Sequence, residues 1–101
     1  MAQVIWTKKA SGQFERAVKY IFKEQGFYYA DIVRVKILQT TALLERQPLI
    51  GAIEPLLTHK NYEYRFLLVW SYKIIYRTTK EKVIISRVFH TSRNPKRLKG
   101  I

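Results

Sequence analysis

Residues 64–97 read YRFLLVWSYKIIYRTTKEKVIISRVFHTSRNPKR, three apolar stretches of period two divided by short polar breaks and closed by a basic segment. Successive side chains of a strand point to opposite faces, so a two-residue period marks a strand with two different environments. Tyr64, Phe66, Leu68 and Trp70 fall on one side of the first stretch, and Arg65, Leu67 and Val69 on the other. Ser71 permits a tight turn, after which Tyr72, Ile74 and Tyr76 alternate with Lys73, Ile75 and Arg77. Thr78 to Glu81 form the next turn. Val83, Ile85, Arg87 and Phe89 then alternate with Ile84, Ser86, Val88 and His90. The pattern predicts a three-stranded antiparallel meander.

Upstream the period changes. Gln3 to Trp6 is short and β-prone, and Thr7 can cap a following helix by accepting from an unpaired N–H of its first turn. Ala10, Phe14, Ala17, Val18, Ile21 and Phe22 recur at three- and four-residue spacing, which predicts an amphipathic helix ending at Gly26. A second helix is expected from about Tyr28 to Arg46. One stripe of it is Ala30, Val33, Ile37 and Leu44, and an adjacent one Ile32, Val35, Leu38 and Ala42. Gln47-Pro48 ends that helix, because proline removes a donor and restricts the residue before it. Residues 47–60, with Gly51 and Pro55, read as a connecting loop. The order strand, helix, helix, strand, strand, strand gives an α+β class: a helical hairpin on one face of an antiparallel sheet, with the N-terminal strand at an edge.

The 101 residues suit one domain, since 48% hydrophobic content supports a single small core. Net charge is +12, and it is placed unevenly: residues 56–101 carry +9 and residues 1–55 carry +3. Such a balance points to a polyanionic partner: nucleic acid, an acidic protein or an anionic surface. Zero cysteines exclude a disulfide scaffold and Cys-ligated metal. The N-terminal stretch MAQVIWTKKA has too short an apolar core for a signal peptide, and no stretch approaches the length of a membrane helix. A cytoplasmic protein with no membrane partner is expected.

The candidate chemistry gathers around His90, with Arg87 three residues before it, Arg93 three after it, and Arg65 on the neighbouring strands. RNA cleavage by attack of a 2′-hydroxyl needs a base, an acid and a cation, and His90 with the arginines can supply the last two. Against this stands the ordinary role of a strand-end histidine, which is to hydrogen-bond a neighbour. Phosphate-binding glycine loops, HExxH helices and carboxylate pairs do not occur in the sequence, so neither metal nor cofactor is expected. His59 reads as a loop residue. Lys73, Arg77, Lys80, Lys82, Arg93, Lys96, Arg97 and Lys99 can neutralise phosphates, and Tyr62, Tyr64, Tyr72 and Tyr76 offer rings among them.

Val4-Ile5-Trp6-Thr7 before a helix, QPLIG at 47–51, Tyr72-Lys73-Ile74-Ile75-Tyr76-Arg77, Arg87-Val88-Phe89-His90 and Arg93-Asn94-Pro95 follow one another in an order that resembles the RelE/ParE superfamily of bacterial type II toxins. The resemblance is closest to the ParE branch and spans nearly the whole of residues 1–101. It implies a growth-inhibiting toxin neutralised by a cognate acidic antitoxin, held with it in a hetero-oligomer. It further implies inhibition of DNA gyrase by binding; the alternative is RelE-type, metal-independent cleavage of messenger RNA on the ribosome, and a third reading is a nontoxic basic module that binds nucleic acid. Arg65, Arg87 and His90 lie where some RNA-cleaving relatives keep catalytic residues, but His90 is followed by Thr91 and not by an aromatic proton donor. On the binding reading, Lys73, Arg77, Arg87, His90, Arg93, Lys96 and Arg97 face the target, and Ile32, Val35 and Leu38 anchor the antitoxin. Residues 93–99 have little apolar content and are expected to be mobile in the free protein.

Overall fold

The computed structural model of the chain describes residues 1–92, 98, 100 and 101. Its elements are β1 (Gln3–Trp6), α1 (Lys8–Gln25), α2 (Phe27–Ala42), β2 (Ala52–Ile53), β3 (Tyr64–Val69), β4 (Tyr72–Thr78) and β5 (Lys82–His90), with 3-10 turns at Leu43–Glu45 and Pro55–Leu57. The five strands form one sheet in the order β1-β5-β4-β3-β2. β1 is an edge, as its sequence suggests, but it runs parallel to β5 and makes the sheet mixed. The helical hairpin between them carries the chain across the sheet, and a crossover returns a strand in the parallel sense.

Thr7 caps α1 by accepting from Ala10 N–H at 3.1 Å. Gly26 alone joins the two helices: it adopts φ +92, its N–H donates to Phe22 O, and its carbonyl accepts from Ala30 N–H. An added Cβ would meet nothing within 4 Å, so the backbone conformation is what requires glycine there. α2 ends four residues before the expected Arg46 and tightens into the 3-10 turn. The hydroxyls of Thr40 and Thr41 donate back to Lys36 O and to Ile37 and Leu38 O, competing with the helical ladder just where it stops.

The helices bury Ala10, Ile21, Ala30, Val33 and Ile37 against Val69, Ile74, Tyr76, Val83, Ile85 and Val88 of the sheet. The sheet's opposite face carries a second cluster of Leu57, Tyr64, Ile75 and Leu98, with Phe66, Phe89 and Ile101 against it. β5 departs from the simple alternation of its sequence. Ile75 pairs with Arg87, but Tyr76 pairs with Ile85, leaving Ser86 as a bulge. Val83 and Ile85 therefore face the helices, whereas Arg87 and Phe89 face the other way. The bulged carbonyl of Ser86 is held by the Thr7 hydroxyl at 3.4 Å and by Arg87 Nη1 at 2.8 Å.

The stretch 47–60 is more ordered than a loop. β2 pairs Ala52 with Phe66 and Ile53 with Arg65, extending the sheet past β3. Two residues are too few to show a period, and side chains elsewhere hold them.

Candidate functional site

Arg65 and Tyr76 form a clamp on that stretch. Arg65 Nη1 donates to Gly51 O at 2.8 Å and to Leu49 O at 3.3 Å, while Nη2 lies 2.6 Å from Glu63 Oε1. The Tyr76 hydroxyl accepts from Gly51 N–H at 2.9 Å. Burial raises the Tyr76 pKa above its ordinary value, against the opposing pull of that hydrogen bond. Beyond Gly51, the fully buried Glu54 accepts from Leu56 N–H and faces Lys73 Nζ at 2.6 Å, a contact of charge too oblique for a directional hydrogen bond. Lys73 also lies over the Phe66 ring, 4.3 Å from its centre.

Arg87 is 8% exposed. Its Nη1 is spent on Ser86 O, its Nε has no partner, and a Cβ on Gly100 would stand 3.9 Å from its Nη2. Desolvation lowers its pKa, opposed by the nearby Tyr64. The C-terminal Leu98 and Ile101 pack over the same face.

His90 belongs to the other side of the sheet. It pairs with Tyr72 across β4, their rings meeting edge to face at 5.4 Å. Its Nδ1 accepts from Ser92 N–H at 3.1 Å and lies 2.8 Å from the Ser92 hydroxyl, so the neutral ring carries its proton on Nε2. The predicted constellation is thus not assembled. Arg87 and His90 occupy opposite faces, and the β4 partners of Arg65 and His90, Tyr76 and Tyr72, lie four residues apart, about 13 Å along the strand.

Arg77 lies over the exposed Tyr62 ring at 4.1 Å. Arg93, Lys96 and Arg97 lie outside the described residues, as does most of the segment 93–99 whose mobility was expected. The exception is Leu98, which is buried, so that segment does gain from packing there. On α2, Ile32 and Leu38 are 38% and 39% exposed and Val35 is half-buried, which sets this stripe at the surface and leaves Ala30, Val33 and Ile37 to the core. Tyr20, Phe22, Phe27 and Tyr28 extend the exposed apolar surface around the hairpin tip.

A model of the family described as ParE toxin of type II toxin-antitoxin system, parDE, matches residues 4–95. The chain belongs to the ParE toxin family. A solved chain from the chromosomal ParDE toxin-antitoxin system of P. aeruginosa is similar in fold, with a TM-score of 0.74 and 20% identity, over 89% of this chain and 96% of that one. No curated protein matches. As a ParE-family chain it is the toxin component of a two-protein module, whose second member is an antitoxin.

The sequence offers Tyr76 as a ring for stacking, but it is fully buried and serves the clamp instead, and nothing in the sequence singles out Glu54. Glu54 is an acid beside a proline in an irregular stretch, and Tyr76 is one of three alternating residues on its strand; neither pattern reveals a partner 19 or 25 positions away. Among the described residues no cluster of His, Asp or Glu could hold a metal ion, and no helix is long and apolar enough to cross a membrane.

Proposed function

We propose that this ParE-family toxin inhibits DNA gyrase, and so replication, by binding and without chemistry of its own, acting in the cytoplasm as one toxin domain spanning residues 1–101. The observation that carries this reading is the dispersal of the three residues a nuclease would need. Arg65 is occupied by Gly51, Leu49 and Glu63, Arg87 is buried beneath the C-terminal residues, and His90 stands across the sheet with its Nδ1 satisfied. A general acid must reach the leaving oxygen while a cation meets the developing charge at the same phosphate. Gyrase as the target rests on the family resemblance.

The antitoxin is proposed to lay an acidic, amphipathic segment along Ile32, Val35 and Leu38, with apolar anchors giving affinity and the toxin's positive charge speeding encounter. Target contact is assigned to Arg77 with Tyr62 and to the basic segment of Arg93, Lys96 and Arg97; Lys73, engaged by Glu54, supports that surface from within. The test is a gyrase supercoiling assay run beside ribosome-dependent messenger RNA cleavage. Inhibited supercoiling without cleavage supports the proposal, and cleavage without inhibition refutes it.

A further inference from the structure

A cavity of about 710 Å³ lies between α1 and the end of β5, away from the α2 stripe and from the open face of the sheet. Lys9, Gln13 and Arg16 line it from the helix, and Tyr72 and His90 from the strands, with Tyr20 at its rim; none of its lining residues is a carboxylate. Its size is that of a small-molecule site.

The two cations of this cleft, Lys9 and Arg16, make no ion pair with any described residue. Lys9 sits in the first turn of α1, which holds no acid and where the helix dipole disfavours a cation. Gly12 gives Arg16 room to fold back along α1: a Cβ there would stand 3.1 Å from Arg16 Nη1. Glycine inside a helix costs stability relative to alanine, and here its missing side chain is where the guanidinium lies. Gln13 uses its oxygen on Val88 N–H at 2.8 Å, leaving its amide nitrogen available. His90, fixed by Ser92, offers Nε2–H.

We propose that this cleft binds a nucleotide unit. Its phosphate is met by Lys9, Arg16 and the His90 Nε2–H, and its base lies against the exposed ring of Tyr20. Cations bond phosphate oxygens through charge-assisted hydrogen bonds, and aromatic side chains stack on bases of any sequence. The unit comes either from a free mononucleotide or from a phosphorylated end of single-stranded nucleic acid. This goes beyond the binding-toxin reading and does not depend on it.

At a net charge of +12 any polyanion is attracted, so the test compares two charge-matched variants. Calorimetric titration of the full chain uses adenosine 5′-monophosphate, inorganic phosphate and a 5′-phosphorylated single-stranded DNA oligonucleotide. The double variant Lys9→Ala/Arg16→Ala is expected to weaken nucleotide binding about tenfold or more, while Lys36→Ala/Arg46→Ala, on and beyond exposed α2, leaves it within about twofold. Tyr20→Leu is expected to weaken the nucleotide about fivefold and leave inorganic phosphate unchanged. Tight binding of the oligonucleotide with weak binding of the mononucleotide assigns the source to nucleic acid, and comparable binding assigns it to the free nucleotide. Equal loss in the two double variants overturns the site, as does an acidic peptide of matched charge that competes equally and ignores Tyr20→Leu. So does failure of both nucleotide probes to bind. Because the readout is binding to purified protein, none of these outcomes bears on toxicity.

Discussion

Gly51 shows how tightly single residues are held here. A Cβ at this position would lie 2.6 Å from Phe66 O and 2.7 Å from the Tyr76 hydroxyl, one of them backbone and the other the bond that anchors the stretch. Gly51→Ala is expected to destabilise the fold by about 1–3 kcal/mol in urea titration, the usual cost of overpacking a filled site. Tyr76→Phe leaves the Gly51 N–H buried without its acceptor, and about 1–3 kcal/mol should be lost near neutral pH. The same tyrosine sets an alkaline limit. Its folded pKa is raised above 10.0, so the unfolded chain gives up this proton first; stability is intact below about pH 10 and falls as pH rises past that value. Tyr76→Phe should remove that part of the slope, measured as denaturation midpoints from pH 8 to 11, and an unchanged slope would assign it elsewhere. At the β3–β4 turn, Trp70 is 55% exposed and adopts φ +51, a left-handed conformation that only a short polar residue or glycine takes at ease. Trp70→Gly should therefore stabilise the fold by about 0.5–1 kcal/mol, and a loss of stability would show that the exposed ring packs usefully.

At the scale of elements, the strands and helices were largely legible because each long segment keeps one period. α1 alternates at helical spacing from Ala10 to Phe22, β3 and β4 keep period two, and Thr7 and Gly26 are chemical stops that act locally. What stayed hidden depends on partners distant in sequence. The Ser86 bulge shifts the phase of β5, so Arg87 and Phe89 leave the side shared by Val83 and Ile85, and nothing in the run VIISRVFH marks where the extra residue falls. β2 is held because Arg65 and Tyr76 reach residues 49–51 and Lys73 reaches Glu54. At the site, the opposite facing of Arg87 and His90 was legible, since an odd separation in a strand reverses the face; what stayed hidden was the engagement of Arg65 by Gly51, Leu49 and Glu63. On α2 the two apolar stripes were legible, and the structure sorts them into core and surface. Ile32→Asp with Leu38→Asp should abolish capture of the antitoxin in pull-down while shifting the thermal midpoint by only a few degrees, since both side chains already meet water. A large loss of stability would place the stripe in the core after all.

Across the whole molecule the charge and the packing divide the labour. Residues 56–101 carry the excess of +9, and among the described residues the sheet's open face bears Lys73 over Phe66 and Arg77 over Tyr62 and is partly closed by Leu98 and Ile101. Leu98→Ala should cost about 2–4 kcal/mol if that closure is part of the fold, whereas a cost below about 0.5 kcal/mol, typical of surface sites, would mean the C-terminal residues merely rest there. The central claim is that the toxin works by occupying its target and not by cutting RNA. It is tested most directly by adding purified protein to DNA gyrase and measuring supercoiling against toxin concentration, with His90→Ala in parallel. The account predicts saturable inhibition by the wild type, with His90→Ala inhibiting at a concentration within about tenfold, the loss expected for one hydrogen-bonding side chain. Unimpaired supercoiling, together with cleavage of ribosome-bound messenger RNA that disappears in His90→Ala, would contradict it.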